Sequence, residues 1–436
     1  MSILQTTQFD IVELSITTSD GVKLDISQIY EEINIFDNVM LPCMSGNIVL
    51  KDGVGFSSKI NFDGSEYINI KINKDVDSKE PRSDFDKKFV IYKQTDRTQL
   101  NQSAELYTLH FVSEEFILSS QKKIRQMYKG TYSDIVRKIL KDYLGVKNQF
   151  GDIFNIYDTK GIQEVLIPNL SPFDAIEYIT KRANSEQGVP DMMFWQNHMG
   201  YNFMPLSYIM NENDYGTIAT INFGAKNLSI DDMNGEMFGA RDYRIVSQFD
   251  AAQNIQSGVY AGKFIGFDTL TRTIKTSKLS FNDTYKLTSH ANKNSMNTKI
   301  PNKERNTADQ MFDSRITLYP YQLERANTPY LKANDPKSAN IVDNSHNYIL
   351  QRKSIFSNLM QKRIRITMPG NFILTAGSPV MVQMPKRNTI DTTDEFGDIT
   401  IQGRYIITGA RHIIRYDKHE TVMEVATDST NFGANK

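Results

Sequence analysis

The sequence has little cysteine, little tryptophan and no long apolar run. Its single cysteine, Cys43, excludes an internal disulfide framework and a zinc site built from cysteines. A chain of this kind suits a reducing compartment, or an assembly held together without disulfides. No stretch approaches the roughly 20 apolar residues that a membrane-spanning helix needs, and residues 1–10 lack the basic start and apolar core of a signal peptide. We therefore expect a soluble protein that the general secretory route does not export.

An excess of charge of either sign is also absent. The 50 Lys and Arg residues and the 51 Asp and Glu residues leave a formal net charge of -1. Such a balance disfavours a generally basic nucleic-acid binder, although it leaves a local basic patch open. The length of 436 residues exceeds what one compact core usually holds, so two to four domains are expected.

The sequence does contain many short runs in which apolar and polar residues alternate. This alternation is clear in residues 363–384, 403–415 and 421–427, and Gly, Pro, Asn or Asp separates the runs. The pattern predicts short antiparallel strands that each bury one face. Residues 9–120 show the same alternation, with a hairpin turn predicted at Asp20-Gly21. Both regions therefore favour a small all-β barrel or sandwich.

Helical periodicity begins between these two regions. Residues 131–145 carry one apolar face and end at a glycine suited to a C-terminal cap. A second helix is predicted from Ser171, with this serine as N-cap, Pro172 in the first turn and Asp174 complementing the helix dipole. A hairpin follows at residues 192–203. This part of the chain is therefore predicted to be of α+β type.

Together the patterns predict a multidomain, β-rich α+β fold with two related antiparallel β-barrel domains and two smaller α+β domains, one of them an insertion. The predicted boundaries are a first β-barrel at residues 1–120, an α+β domain at 121–239, a second β-barrel at 240–275 and 363–430, an inserted α+β domain at 276–362 and a C-terminal tail at 431–436. A strand at residues 258–267 is thereby assigned to the second barrel, and a helix at residues 345–362 closes the insertion.

An internal duplication is predicted because the two β regions share landmarks. The matched positions are Gly64 with Gly377, Phe89 with Arg404, Tyr107 with Val422, and residues 44–50 with residues 368–374. The second and third landmarks lie 18 residues apart in both regions (107 - 89 and 422 - 404). Repeats of this kind indicate two copies of one structural unit.

Residues for catalysis or metal binding are sparse. None of the six histidines has the close spacing of a metal-ligand pair. His412 and His419 flank one predicted hairpin and could meet across it, but hydrogen-bonded strand histidines are the favoured interpretation. The acidic pairs Glu114-Glu115 and Asp231-Asp232 are interpreted as solvated charges, since a two-carboxylate mechanism needs groups on separate elements.

One segment superficially matches a phosphate-binding loop. Residues 258–263 place only three residues between the two glycines where the Walker motif has four, and Phe264 replaces its magnesium-binding Ser or Thr. No nucleophile elbow of the Gly-x-Ser-x-Gly type is present either. The residues therefore predict no catalytic, cofactor-binding or metal-binding site.

Basic residues form the clearest electrostatic feature. Residues 121–125 and 361–365 are basic runs, and Arg363 and Arg365 share one strand face while Ile364 lies on the other. A solvated face is the favoured interpretation. The alternative is a basic lining for an acidic partner or for a DNA-conducting channel.

Four segments, taken in their order along the chain, carry a resemblance to a known family. They are residues 44–53, 167–176, 258–268 and 370–377. Together they resemble the baseplate central hub proteins of contractile-tailed bacteriophages, which are related to the hub part of type VI secretion spike proteins. The resemblance covers most of the chain and is weakest over residues 276–345. Its motifs are strand and cap patterns rather than catalytic signatures.

The resemblance implies a structural protein without enzymatic activity or cofactor. Three chains would form a ring whose six β-barrels make a pseudo-sixfold seat, which adapts the hexameric tail tube to the trimeric central spike and lines the DNA channel. The other implied contacts are with further baseplate proteins and with phage DNA in transit, without sequence-specific nucleic-acid binding or stable membrane insertion. The implied location is the tail baseplate of the virion, assembled in the host bacterial cytoplasm. The strand-face charges predicted to face an interface or the channel are Arg363, Arg365, Arg404, Arg411, Lys71 and Lys93.

Two alternative functions stay open at this point. A tail-associated peptidoglycan hydrolase could lie in residues 276–345, although no acid–base or metal constellation supports it. A carbohydrate-binding adhesion module would be expected to cluster exposed aromatics in loops. Most aromatics here lie in strand patterns instead, and Trp195 is the only tryptophan.

Overall fold

The computed structural model describes most of the chain. The described residues are 9–56, 60, 62–73, 84–101, 104–146, 154–223, 238–267, 272–296, 307–320, 348–384, 398 and 400–431. The acidic pair Asp231-Asp232 and a large part of the predicted insertion, residues 321–347, lie outside them.

The strands alternate between buried and exposed positions as predicted. In chain order they are β1 (Asp10–Thr17), β2 (Lys23–Asp25), β3 (Tyr30–Asn38), β4 (Ser45–Asp52), β5 (Tyr67–Asn73), β6 (Phe85–Asn101), β7 (Ala104–Val112), β8 (Met127–Gly130), β9 (Phe154–Ile156), β10 (Gln163–Leu166), β11 (Met192–Asn197) and β12 (Gly200–Pro205). They continue with β13 (Ala219–Phe223), β14 (Gly239–Ala240), β15 (Asp242–Ser247), β16 (Ala261–Phe267), β17 (Ile274–Ser280), β18 (Asn294–Ser295), β19 (Ile316–Pro320), β20 (Lys362–Pro369), β21 (Pro379–Gln383), β22 (Gly403–Arg415), β23 (Lys418–Thr427) and β24 (Ser429–Thr430).

The helices are short and belong to the middle of the chain. They are α1 (Glu114–Gln121), α2 (Tyr132–Asp142), α3 (Pro172–Thr180), α4 (Leu206–Met210), α5 (Ala251–Ser257), α6 (Phe281–Tyr285) and α7 (Lys353–Leu359), with 3₁₀ turns at Ala308–Gln310 and Phe312–Ser314 and a π-helical turn at Tyr348–Arg352. In the described part of the chain, no helix has the length and apolar character needed to cross a bilayer.

Two β regions with the same strand order make up the main sheet. In the first region the hydrogen-bonded order is β2-β1-β5-β6-β7-β4-β3, and in the second it is β14-β13-β21-β22-β23-β20-β15. Matching the two orders makes β5 equivalent to β21, β6 equivalent to β22 and β7 equivalent to β23. One difference remains, because β1 runs antiparallel to β5 whereas β13 runs parallel to β21. The common order supports the predicted duplication.

A shared irregularity fixes the residue-level match between the regions. The ladder between β6 and β7 shifts register after Ile91, and the ladder between β22 and β23 shifts after Ile407. In both units the residue before the shift also donates its backbone N–H to a carbonyl just before the neighbouring strand. Ile91 donates to Glu66 before β5, and Ile407 donates to Ser378 before β21, at 2.9 Å each. A β-bulge at the same place in both units is a designed feature of a fold rather than a chance defect.

The same registers give a set of equivalent positions across four strands. The equivalences are Tyr67 with Pro379, Val90 with Ile406, Val112 with Ala426, and Ser45 with Arg363. Two of the four sequence landmarks fall on matching strands, and a third, Gly64 with Gly377, lies just before the matching strands β5 and β21. The fourth is wrong, because Met44 lies just before β4 whereas Met368 lies near the end of β20.

The prediction of two closed barrels needs correction. Within the described residues no strand pairing closes either region on itself, because the first region has β2 as a free end and continues through β3 into β22. The two regions therefore form one continuous curved sheet that is mostly antiparallel, with parallel pairs at β13. Alternation alone reveals which face of a strand is buried but not which strand lies beside it.

Both helices of the middle α+β part begin at a hydroxyl cap, of which Ser171 was predicted, whereas α2 ends at Asp142 before the predicted Gly145 cap. The Thr131 hydroxyl caps α2 by accepting from the Asp134 N–H, and the Ser171 hydroxyl caps α3 by accepting from the Asp174 N–H at 3.3 Å. Pro172 occupies the first turn of α3 as predicted. The apolar faces of α2 and α3 pack with β11 and β12 into one core. The strands β11 and β12 form the predicted hairpin.

The segment from α5 to α7 is inserted between β15 and β20, which pair with each other. Its strand β16 pairs with β17 and β19, and this sheet is separate from the main one. The prediction that residues 258–267 belong to the second barrel is therefore wrong. Gly258, at φ +78°, caps α5 in the left-handed conformation, so the residues 258–263 serve as a helix cap followed by a strand. The predicted helix at 345–362 is found over Tyr348–Leu359, and Lys362 already begins β20.

Candidate functional site: the junction between the two β regions

The two β regions meet edge to edge through β3 and β22. Seven residue pairs align without a register shift, from Gly409 opposite Asn38 to Arg415 opposite Glu32. Beside this ladder, β22 keeps β23 as its other neighbour. A junction between the duplicated units is thus built from continuous backbone hydrogen bonding.

The bulge in β22 makes this junction possible. Before the bulge, β22 pairs with β21 through residues Gly403 to Ile406, and after it the same edge pairs with β3. The bulged residue Thr408 accepts a hydrogen bond from the Val39 N–H at 2.9 Å. Because a bulge bends a strand and increases its twist, β22 leaves one neighbour and acquires another.

A buried carboxylate, that of Asp37, fastens the junction from inside. Asp37 lies on β3 and is 4% exposed. Its Oδ2 accepts from the Ala376 N–H at 3.1 Å and from the Thr375 hydroxyl, and its Oδ1 accepts from the Ala410 N–H at 3.2 Å. Burial raises the pKa of this carboxyl to about 6, against the lowering effect of its hydrogen-bond donors. One side chain of the first region therefore satisfies three donors of the second.

On the solvent side of the junction, charged groups bridge the same two strands. The Arg411 guanidinium donates to the Asn34 side chain at 2.9 Å and lies 3.5 Å from the Glu32 carboxylate. Arg415 pairs with Glu32 at 2.8 Å. The side chains of Arg411 and Arg415 are 44% and 48% exposed, so water screens these pairs. These ion pairs favour the observed alignment of β3 with β22 but contribute little to the stability of the junction.

This exposure leads to a prediction for Arg411. Replacing Arg411 with Gln is expected to lower the free energy of unfolding by less than about 1 kcal/mol, because exposed ion pairs contribute little. Urea denaturation followed by the fluorescence of the single tryptophan, Trp195, measures this. The double variant Arg411→Gln with Glu32→Gln is the control, and a cooperative loss much larger than for the single variants would contradict the screening argument.

Some of the predicted interface charges are ion-paired within the chain and others are not. Arg363 pairs with Glu424 at 3.2 Å on β23, and Lys71 pairs with Asp86 at 2.7 Å, which raises the pKa of Lys71 through that hydrogen bond. Arg365 and Lys93 are exposed and form no ion pair with any described residue. These two, together with the half-exposed Arg411, are the charges that remain available to a partner.

Arg404 corrects the prediction of a surface charge. Its side chain is 1% exposed. The guanidinium donates to the Thr217 hydroxyl at 2.8 Å, to the Ile209 carbonyl at 3.0 Å and to the Tyr215 carbonyl. Burial lowers the pKa of Arg404. This arginine holds the segment after α4 against β22, because its position on the strand points inward toward carbonyl groups that need donors.

The residues examined for catalysis have structural roles. His412 and His419 do approach each other, with ring centroids 5.6 Å apart, and both pack against Phe372 in the interior. Glu114 and Glu115 lie in the first turn of α1, where carboxylates complement the helix dipole. Among the described residues, no group of three or more His, Cys, Asp or Glu side chains could hold a metal ion.

Asp37 is not among the site residues predicted from the sequence. A signal was present: Ile33, Ile35 and Asp37 share one face of an alternating run, so an acidic residue stands in line with buried isoleucines. A carboxylate on a buried face needs hydrogen-bond donors. Which donors supply them, more than 300 residues away in sequence, cannot be read from the run itself.

Comparison with known proteins identifies this architecture by structure and not by sequence. No protein-family model matches the chain, and no curated protein matches it significantly. Two similar solved structures are the tail protein from Neisseria meningitidis MC58, with 12% identity, 95% of this chain and 96% of that chain covered and a TM-score of 0.51, and the 43 kDa tail protein of prophage MuSo2 from Shewanella oneidensis, with 8% identity, coverages of 95% and 97% and a TM-score of 0.55. A component of the type VI secretion system, the E. coli c3393 protein, matches at 9% identity, coverages of 98% and 78% and a TM-score of 0.44. The predicted resemblance to phage tail proteins is thus confirmed at the level of the fold.

Proposed function

We propose that the chain is a structural hub of a phage-type contractile tail baseplate. The observation that carries the proposal is the repeated strand order of the two β regions, joined through β3 and β22. Three chains with two related units each would present six similar units around one axis. Such a ring matches a hexameric tail tube on one side and a trimeric central spike on the other. The shared fold with two tail proteins supports this placement.

The physical basis of the proposed function is symmetry adaptation rather than chemistry. A heterologous contact repeated with a closing rotation generates a ring, and two similar units in one chain allow a threefold assembly to offer nearly sixfold contacts. We infer that the chain is not an enzyme and works without a cofactor. Its place would be the tail baseplate of the virion, assembled in the host cytoplasm, with other baseplate proteins as further contacts.

The exposed charges are assigned to partners under the same proposal. Arg365 and Lys93 have no ion pair with described residues, and Arg411 is half-exposed. Placed on the inner or upper face of a ring, such groups would meet an acidic tube surface or DNA in transit through the channel without reading its sequence.

The oligomeric state tests this proposal directly. We expect the purified chain to form a trimer, alone or as a three-to-three complex with a trimeric spike protein, when its mass is measured by light scattering across a concentration series. A chain that stays monomeric under both conditions contradicts the hub. Release of peptidoglycan fragments by the isolated chain would instead support the hydrolase alternative.

A further inference from the structure

Two strand edges that are paired in one β unit are open in the other. In the second unit, the part of β22 after the bulge pairs with β3. Its equivalent in the first unit is β6 from Lys93 onward, which within the described residues pairs with β7 alone. Conversely, β3 is occupied on both sides, whereas its equivalent β15 pairs only with β20 in the described part of the chain. Among the described residues, each of these two strand edges is therefore paired in one unit and unpaired in the other.

The residues of β15 are exposed where those of β3 are buried. The ladders with β20 and β4 make Ile245 equivalent to Ile35. Ile35 is 0% exposed, whereas Ile245 is 37% exposed. Val246 and Phe249 beside it are 39% and 72% exposed. A run of exposed apolar side chains along an open strand edge is a recognised pairing and aggregation hazard unless a partner covers it.

Two charges of like sign face each other beside this edge. Arg244 on β15 lies directly opposite Arg365 on β20, and both are exposed. Like charges in this cross-strand position repel each other. The equivalent pair, Asn34 and Asn47, is hydrogen bonded at 2.9 Å, and Asn34 also accepts from Arg411 across the junction. In the first unit this position thus receives a donor from β22, whereas in the second unit no described strand lies beside it.

The exposed end of β6 carries a carboxylate. Asp96 is exposed and lies, at φ +56°, where the β6–β7 ladder shifts register a second time. Its charge is opposite in sign to that of Arg244 on β15. Beyond Ile91, whose N–H donates to the Glu66 carbonyl, the backbone of β6 has no neighbour on the β5 side among the described residues. Edge-to-edge pairing would satisfy both strands at once.

We propose that β6 of one chain pairs antiparallel with β15 of the next chain, as a second copy of the β22–β3 junction. This inference rests on the proposed ring of three chains and adds its interface. Transferring the intrachain register places Lys93 opposite Phe249, Gln94 opposite Gln248, and Thr95 opposite Ser247. Three junctions within chains then alternate with three between chains, so that every unit uses both of its edges and the ring closes.

A cysteine cross-link tests the register. The double variant Gln94→Cys with Gln248→Cys should form covalent dimers and trimers under mild oxidation, which dithiothreitol reverses, because directly opposed strand residues bring their Cβ atoms within disulfide reach. The matched control is Gln94→Cys with Asp242→Cys, which shifts the second cysteine by about 20 Å along the strand and should not cross-link. Each single variant is a further control, and the buried Cys43 is common to all of them.

A second variant tests the interface without cross-linking. Phe249→Asp places a charge on an exposed position, so the fold should be kept while the trimer weakens by about tenfold or more in dissociation constant. Phe267→Asp, at a 44% exposed position on β16, is the control and should leave the trimer unchanged. The melting temperature of each variant, followed by Trp195 fluorescence, separates loss of assembly from loss of fold.

The outcomes separate this inference from the proposed function. Cross-linking at 94 and 248 together with dissociation of Phe249→Asp supports the β6–β15 interface. A stable trimer that neither cross-links at these positions nor responds to Phe249→Asp overturns the interface and leaves the hub standing. A chain that forms no trimer, alone or with a spike protein, overturns both.

Discussion

Replacing Gly377 with Ala is expected to lower the free energy of unfolding by about 3 kcal/mol or more, from backbone strain and overpacking together. Gly377 has φ +90°, a conformation that side-chain-bearing residues rarely adopt. A Cβ there would lie 2.3 Å from Cζ2 of Trp195. The indole cannot retreat easily, because it is 1% exposed and its Nε1–H donates to the Ala376 carbonyl at 2.9 Å. This contact docks the middle α+β part onto the second β region.

Urea denaturation with tryptophan fluorescence measures the effect, and Trp195 is the only tryptophan. Gly53→Ala is the matched control, since a Cβ at Gly53 meets nothing within 4 Å and its φ is not in the left-handed region. The control should change the free energy of unfolding by less than about 0.5 kcal/mol. Equal stability of the two variants would contradict this prediction and show that Trp195 can move away from a Cβ at position 377.

Local structure was largely predictable from the sequence. Alternating runs predicted β5, β7, β21 and β23, and Ser171 caps the start of α3 as expected. The spacing of Gly64, Phe89 and Tyr107 against their counterparts predicted the duplication, because strand length and turn length are fixed locally. These features depend on a few neighbouring residues, which the sequence shows directly.

Pairing partners were not predictable in the same way. The strand β16 has a pattern that suits either sheet, and only its contacts with β17 and β19 decide its place. The junction of β3 with β22 joins residues 32–38 to residues 409–415, and Arg404 turns inward because carbonyls of the segment after α4 need donors. Such choices depend on distant parts of the chain, so an alternating run leaves them open.

The junction and the bulge together would let one fold serve two positions in the proposed ring. After the bulge at Ile407, β22 pairs with β3, and β6 has an equivalent bulge after Ile91. Within the described residues, only β22 pairs with a further strand of the chain beyond its bulge. Under the proposal, the junction within the chain is the template for the junction between chains.

The finished junction depends on Asp37, and its removal is expected to have the other large effect. Asp37→Ala should lower the free energy of unfolding by about 3 kcal/mol or more, because it leaves three buried donors, those of Thr375, Ala376 and Ala410, without an acceptor. Asp37→Asn keeps one carbonyl oxygen and should cost less. Chemical denaturation at pH 7 measures both.

The free energy of unfolding should also depend on pH through Asp37, because this group titrates. The folded protein binds the Asp37 proton more tightly than the unfolded chain, since burial raises its pKa from 3.8 to about 6. Stability from this group is therefore fullest at low pH, falls as the pH rises from roughly 4 to roughly 6, and levels off above that, with a total on the order of 3 kcal/mol. Asp37→Asn should remove the share of this decline that Asp37 contributes.

A carboxylate on the surface provides the control for this profile. Asp86 pairs with Lys71, and its side chain is 58% exposed. Asp86→Asn should keep the decline between pH 4 and 6, because the group responsible is still present. Burial also raises the pKa values of Asp191 and Glu115, so part of the decline should remain in Asp37→Asn. A decline that is undiminished in Asp37→Asn contradicts the account of the junction, whereas a decline that is smaller in Asp37→Asn but unchanged in Asp86→Asn identifies the buried Asp37 carboxyl as a group that titrates.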